Sequence, residues 1–215
     1  MKYQPDLLII PECEHSDKIA FPEQPVSVIW YGDNPHKGLG VFSFGDYKLE
    51  LLVNHQPSFK TILPLTLSNG RINFTLFAIW ANNPQDKGNQ YIGQIWKAIH
   101  HYENLIKSER TLLAGDFNSN SVWDKPRRVG NHTDLVKKLG TKQIKSVYHH
   151  YFDQAHGSEQ HPTFNLYKNA DKPYHLDYCF VSADMMTKFV GIQIGLFEEW
   201  RKYSDHLPLI IDFNF

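Results

Sequence analysis

Long apolar runs, cysteine and net charge are all scarce in this 215-residue sequence. No apolar block approaches the ~20 residues that a membrane span needs. The opening Met1-Lys2-Tyr3-Gln4-Pro5-Asp6 lacks the pattern of a secretory leader, because only residues 7–10 follow it as an apolar block. Two cysteines, Cys13 and Cys179, are too few for a disulfide framework, and each lies beside an apparent strand. Buried, reduced thiols are therefore expected, which favours a cytoplasmic protein. The formal charge of −1 offers polyanions no overall attraction, so any contact with nucleic acid must come from a local basic patch. Repeats, low-complexity tracts and linkers are missing too, so residues 1–215 are expected to form one domain. A hydrophobic content of 41% and an aromatic content of 14% suffice for a sizeable core.

Periodicity then places the elements. Apolar blocks at 7–10, 26–31 and 40–44 read as strands, the first halted by Pro11 and the next two divided by Gly32-Asp33-Asn34-Pro35. Gly45-Asp46 predicts a hairpin into a strand over 48–53. Residues 59–67 and 72–81 flank Asn69-Gly70, the strongest short hairpin signal in the chain. From 91 to 106 the period changes: Ile92, Ile95, Trp96, Ile99 and Tyr102 form one helical stripe. A polar loop over 121–131 leads to a helix capped at Asn131 or Thr133 and ending at Gly140. Residues 145–151 alternate like a strand, 176–182 and 207–213 read as buried strands, and 183–189 as a short helix. This order predicts an α/β fold in which two antiparallel-rich sheets pack face to face with helices outside.

The chemistry concentrates at the ends of these strands. In Thr111-Leu112-Leu113-Ala114-Gly115-Asp116-Phe117-Asn118 a short apolar run stops at glycine, and alternation along a strand puts Asp116 and Asn118 on one face. A carboxylate beside a neutral amide suits handling a proton while steadying an anion. Glu12 also follows an apolar run, whereas Asp177 and Asp205-His206 precede apolar runs. In a mixed sheet, C-ends of some strands lie beside N-ends of others, so Glu12, Asp116, Asp177, Asp205 and His206 can meet at one rim. Several carboxylates gathered there repel one another unless a cation is present, and an oxygen-rich, wet site suits Mg²⁺ or Mn²⁺. The other histidines, among them His149, His150, His156 and His161, show no metal-type spacing, and surface or structural roles are expected for them.

Pro11-Glu12, Lys37-Gly38-Leu39-Gly40-Val41, Gly115-Asp116-Phe117-Asn118, Leu176-Asp177-Tyr178 and Ser204-Asp205-His206, in that order, resemble the endonuclease/exonuclease/phosphatase superfamily. The likeness is to its AP-endonuclease and exonuclease branch and its deoxyribonuclease-like members, and it runs along nearly the whole chain. The resemblance implies a four-layered α/β sandwich and divalent-metal-dependent hydrolysis of a phosphodiester, with DNA or RNA as substrate. It implies that Glu12 holds the cation with help from Asp205. Asp116 is then the general base, Asn118 orients the water or bonds the phosphoryl oxygens, and His206 contacts the scissile phosphate, kept cationic by Asp177.

Two departures accompany the likeness. Members of the superfamily open with a strand ending in asparagine, and no segment before Lys2 supplies one here, so an N-terminally truncated chain with lowered stability and turnover is expected. Trp80 stands where the superfamily places a tyrosine or histidine, and indole is no general acid. Asn83 beside it remains a candidate phosphate ligand. Lys125, Arg127 and Arg128 follow the catalytic strand and, with Trp123 as a stacking surface, suit a nucleic-acid backbone. The same core also admits a phosphatase or phosphodiesterase for a small phosphoester or inositol lipid, and a catalytically impaired binding module.

Overall fold

The computed structural model describes residues 3–52, 55–83 and 90–215. The chain opens with β1 (Leu7–Cys13), β2 (Ser27–Asn34) and β3 (Lys37–Ser43), which form an antiparallel sheet in the order β1-β3-β2. Pro11 does not end β1 as expected. The strand continues to Cys13, with a register shift between Ile10 and Cys13 and Glu12 at a φ of 58°. Proline is tolerated there because β1 is an edge strand, where its missing N–H costs no ladder bond.

Next come β4 (Lys48–Leu51), β5 (Ile62–Ser68), β6 (Asn73–Trp80), α1 (Ile92–His101), β7 (Thr111–Asp116), α2 (His132–Gly140) and β8 (Lys145–Ser146). They are followed by α3 (Val147–Phe152), β9 (Phe164–Asn165), β10 (Pro173–Tyr174), β11 (Asp177–Val181) and α4 (Ala183–Met186). The chain closes with β12 (Phe189–Ile194), α5 (Phe197–Trp200) and β13 (Leu209–Phe213). A six-stranded sheet has the order β4-β5-β6-β7-β11-β8. Its β6–β7 pair is parallel, because α1 carries the chain back across the sheet between them, and the other pairs are antiparallel. The pairs β9–β10 and β12–β13 stand as separate two-stranded sheets.

Strand alternation divides the core in two. Leu63, Leu65, Leu76 and Ala78 face inward against Leu39 and Val41 of β3 and Ile192 of β12. Phe77, Ile79, Leu113 and Phe180 face the opposite way, against Ile95 and Ile99 of α1 and Leu135 and Leu139 of α2. Each of the leucine, isoleucine, valine and phenylalanine side chains, fully buried, contributes about 2 kcal/mol. The result is the expected α/β arrangement of facing sheet layers with helices outside. No helix among the described residues is long and apolar enough to cross a membrane. Cys13 and Cys179 are buried and unpaired, as expected, and burial pushes their thiols up to about 11 and about 12, respectively.

The structure corrects three further expectations. Gly45-Asp46 makes no hairpin: β3 already has β1 and β2 on its two sides, so β4 crosses to the other sheet and pairs with β5. The expected strand over 145–151 is two residues of β8 followed by the helix α3. Val147, Tyr148, Tyr151 and Phe152 fall at i, i+1, i+4 and i+5, a helical face that resembles alternation over so short a run. Phe189, read as the end of a helix, begins β12 instead. An irregularity between Phe189 and Gly191 leaves Val190 as an extra, exposed residue, and the period-2 signal is lost there. The Asn69-Gly70 hairpin is found, with Ser68 paired to Asn73.

Gly115 is required by geometry. It adopts φ 134° in β7, and a Cβ there would lie inside contact distance of the Ile79 carbonyl oxygen on β6. That neighbour is backbone in the sheet and cannot swing away. Gly115→Ala is expected to cost about 3 kcal/mol or more and lower the melting temperature by roughly 6–12 °C. A thermal unfolding curve that coincides with the unaltered chain's would show the close approach to be relaxed at no cost.

Candidate active site

The last residue of β7, Asp116, pairs with the first residue of β11, Asp177. Directly opposed residues of an antiparallel pair project to the same face, so register alone sets two carboxylates side by side. Asp116 is only 2% exposed. Burial, then the Asp177 charge, raises its carboxyl well above the ordinary carboxylate range, and Glu12 adds to the effect; His206 and the Asn118 N–H oppose it.

Asn118 follows in the left-handed region at φ 43°, a conformation asparagine tolerates better than most residues. It turns back on the carboxylate: its N–H donates to Asp116 Oδ1 at 2.8 Å and its Nδ2 to Oδ2 at 2.6 Å. A further bond from Nδ2 to the Ala81 carbonyl, 2.9 Å, anchors the amide to the end of β6. Asp116 and Asn118 do come together, but β7 ends at Asp116, so the left-handed turn and not strand alternation brings the amide to the carboxylate.

His206 completes the cluster from the loop before β13. Its Nδ1 lies 2.9 Å from Asp177 Oδ2, and Phe164 stands against its ring at 4.7 Å. Burial alone would lower the imidazole's pKa, but the Asp177 charge and hydrogen bond outweigh it, and with Asp116 and Asp205 they raise it to about 9. With Nδ1 engaged, Nε2 is left for a ligand. Thr163 ties the two segments together. Its hydroxyl accepts from the N–H groups of Leu176 and Asp177 at 2.9 and 3.0 Å, while its carbonyl accepts from Leu207 N–H at 2.7 Å. This fully buried residue fixes the distance between Asp177 and His206; sequence spacing gave no sign of that task.

One ligand atom each from Asp116, Asp177 and His206 lies within 4.8 Å of the others. Asp205 adjoins them through His206, with its carbonyl bonded by Asn165 N–H at 2.8 Å. Glu12 is drawn toward the same rim by the irregularity in β1, but its Oε2 is paired with Lys37 Nζ at 3.0 Å. That lysine also stands 5.5 Å from the Trp80 ring, and Trp80 lies opposite Asp116 in the β6–β7 register. No sequence spacing marks Lys37 as Glu12's partner, because the pairing is made across strands. Asp116 and Asp177, with Glu12 and Asp205 flanking them, gather the negative charge that a hard, oxygen-seeking divalent cation would offset, and the two flanking carboxylates suit it as ligands.

The basic residues lie elsewhere. Lys125 and Arg128 line a groove of about 520 Å³ with Tyr91, Trp96 and Lys97, and no carboxylate of the cluster contributes to its walls. Arg127 is exposed on the same loop, and Asn83 is exposed just beyond β6. The loop is closed by Asn131, whose Nδ2 donates to the carbonyls of Lys125 and Arg128 at 2.8 and 3.0 Å. Asp124 accepts from the first N–H groups of α2, those of His132 and Thr133, at 2.9 and 3.0 Å.

The Endonuclease/Exonuclease/phosphatase family matches residues 1–206. The chain belongs to that family. No curated protein matches the sequence. Among solved members of similar fold is an AP endonuclease from Archaeoglobus fulgidus, at 16% identity and a TM-score of 0.71, covering 100% of this chain and 91% of that one. A 3'-5' exonuclease, NExo, from Neisseria meningitidis has 16% identity and a TM-score of 0.67, covering 98% of this chain and 90% of its own. A structure described as the 3' phosphatase NExo from Neisseria bound to product DNA hairpin gives the same values. Likeness at this identity concerns the fold, and the Endonuclease/Exonuclease/phosphatase fold is what these chains share.

Proposed function

We propose that this chain is a divalent-metal-dependent phosphodiester hydrolase acting on nucleic acid. The observation that carries the reading is the hydrogen-bonded set Asn118–Asp116 beside Asp177–His206, at the junction of β7 and β11. Glu12, with Asp205, would hold a Mg²⁺ or Mn²⁺ ion. When bound, the ion supplies positive charge that favours ionised carboxylates and offsets charge on the phosphoryl oxygens.

The remaining steps belong to the chain's own residues. Asp116, its two oxygens fixed by Asn118, accepts a proton from the attacking water. His206, cationic at neutral pH, donates from Nε2 to a phosphoryl oxygen. That bond strengthens as the phosphoryl centre gains electron density during attack, so it favours the transition state over the ground state. Asp177 holds the ring's orientation and charge. Trp80 supplies no proton to the leaving oxygen, so a slow enzyme is expected.

A nucleic-acid substrate is supported by the activities described for the fold's neighbours and by the loop after Asp116. Trp123 there is exposed and meets Tyr174 at 5.0 Å, a surface suited to stacking an unpaired base. Asn83, Lys125, Arg127 and Arg128 are proposed contacts to the nucleic-acid backbone. The test is a substrate panel with Mg²⁺, Mn²⁺ or chelator: supercoiled plasmid, duplex with an abasic site, single-stranded RNA, a 3'-phosphorylated oligonucleotide and a nitrophenyl phosphodiester. Expected is cleavage of at least one nucleic acid that chelator abolishes and rising salt suppresses. Turnover confined to the nitrophenyl ester would favour a small-phosphoester enzyme, and no turnover at all a binding module.

A further inference from the structure

Away from the carboxylate cluster, the structure gathers histidines that sequence spacing left unrelated. His149 on α3 and His156 in the following loop stack with ring centroids 3.5 Å apart and planes inclined by 21°. Glu159 joins them, with Oε1 3.0 Å from His149 Nε2. One ligand atom from each of the three lies within 4.8 Å of the others. The trio shares no residue with the Asp116–Asp177–His206 group.

The surrounding bonds prepare these atoms for a metal. His149 Nδ1 lies 2.8 Å from Ser146 Oγ, which suits an N–H on that side and leaves the Nε2 lone pair toward Glu159. His156 Nδ1 faces His132 Nε2 at 3.0 Å, and His132 Nδ1 faces Ser119 Oγ at 3.1 Å. Two nitrogens at that separation share a single proton. When His132 carries its own proton on Nδ1, the shared one sits on His156 Nδ1, and the His156 Nε2 lone pair is unshared. Both oxygens of Glu159 accept from Gly157 N–H at 3.0 Å, and Oε2 accepts from Asn120 Nδ2 at 3.1 Å, so the carboxylate cannot swing out to solvent. The side chains of His149 and Glu159 are 9% and 3% exposed.

A separate observation points the same way. His175 is 3% exposed, and its Nδ1 is taken by the His161 carbonyl at 2.8 Å. Its Nε2 is buried without a hydrogen-bond partner, and the ring stands 6.2 Å from that of His149. Buried polar atoms are seldom left unsatisfied, and a cation carrying a water molecule is the kind of occupant such a nitrogen would meet.

We propose that His149, His156 and Glu159 bind a zinc-class divalent cation. Two imidazoles and one carboxylate, with hydrogen-bonded partners behind each, match a zinc donor set with one coordination place open. Nitrogen-rich donors select zinc over magnesium, the opposite of the carboxylate cluster. The ion would tie α3 to the loop beyond it. Through Glu159 and Asn120 it would also brace the segment that follows Asp116 and Asn118.

The experiment uses the whole chain, stripped with chelator and titrated with Zn²⁺ in excess Mg²⁺, reading bound zinc and melting temperature. Expected are one zinc per chain and a rise of roughly 5 °C, as for saturating ligand on a chain of this size. His156→Gln and Glu159→Gln should each remove both responses, whereas Asp116→Asn should keep them. No zinc bound, or undiminished zinc in His156→Gln, overturns the proposal. Should those variants fail to fold, Co²⁺ in the unaltered chain decides. Intense visible bands of a four-coordinate ion support the site, and the weak bands of an octahedral, all-oxygen ion refute it.

Discussion

Asp116→Asn lowers the rate of metal-dependent cleavage by on the order of 10³-fold, the scale of a lost general base, while leaving the chain folded. The two halves of this expectation come from the same environment. Asp116 is buried beside Asp177, so its ionised form is a cost to the folded chain that an amide does not carry. The amide can keep one acceptor for the Asn118 N–H. Its NH₂ would then face the Asn118 Nδ2 donor, now 2.6 Å from Oδ2, and Asn118 must rotate to offer its oxygen. That rotation breaks the bond from Nδ2 to Ala81, at roughly 1 kcal/mol, which relief of the carboxylate repulsion offsets. The melting temperature should therefore stay within a few degrees or rise. Full activity in this variant would remove Asp116 from the chemistry. A collapse of the fold would mean that the carboxylate pair is structural.

His206→Ala is expected to lower the rate by roughly 10²–10³-fold, because it deletes a donor aimed at developing charge. Asp177→Asn separates charge from contact. Burial pushes His206 down and Asp177 pushes it up to about 9. Without the Asp177 carboxylate, burial is opposed only by the charges of Asp116 and Asp205, and the imidazole should titrate well below about 9. Imidazole NMR on the metal-free chain reads this directly. The sign of the stability effect follows. Because the folded value is raised, the pair's contribution is fully present below pH ~6.5 and is lost as pH rises through about 9. The difference in melting temperature between the unaltered chain and Asp177→Asn should therefore shrink across that window. A constant difference, or an unmoved His206 titration, would show that Asp177 is not what holds the ring cationic.

Much of the site can be seen in the primary structure, for a specific reason. Asp116 and Asn118 sit two apart, and a two-residue separation lets the backbone turn after β7 fold the asparagine back onto the carboxylate, so their contact is local information. The Asn69-Gly70 turn and the stripe of α1 are equally local. The partnership of Glu12 with Lys37 is not: it arises where an irregular β1 lies against β3, and no spacing encodes it. Thr163 is similar: its hydroxyl sets how far His206 stands from Asp177, and no sequence spacing encodes that distance. The misread elements fail for the same cause. Where β4 pairs depends on which strand edges are already taken, and the β12 irregularity erases the pattern a single strand would show.

The amino-acid order settled the class of the fold, most of its strands and the kinds of group available for chemistry, since those follow from short-range periodicity and residue type. Which carboxylates face each other, which lysine neutralises Glu12, and that His149, His156 and Glu159 meet at all were settled by packing. Strand register and loop closure bring distant residues within a few ångströms, and that proximity exists only once the sheets have assembled.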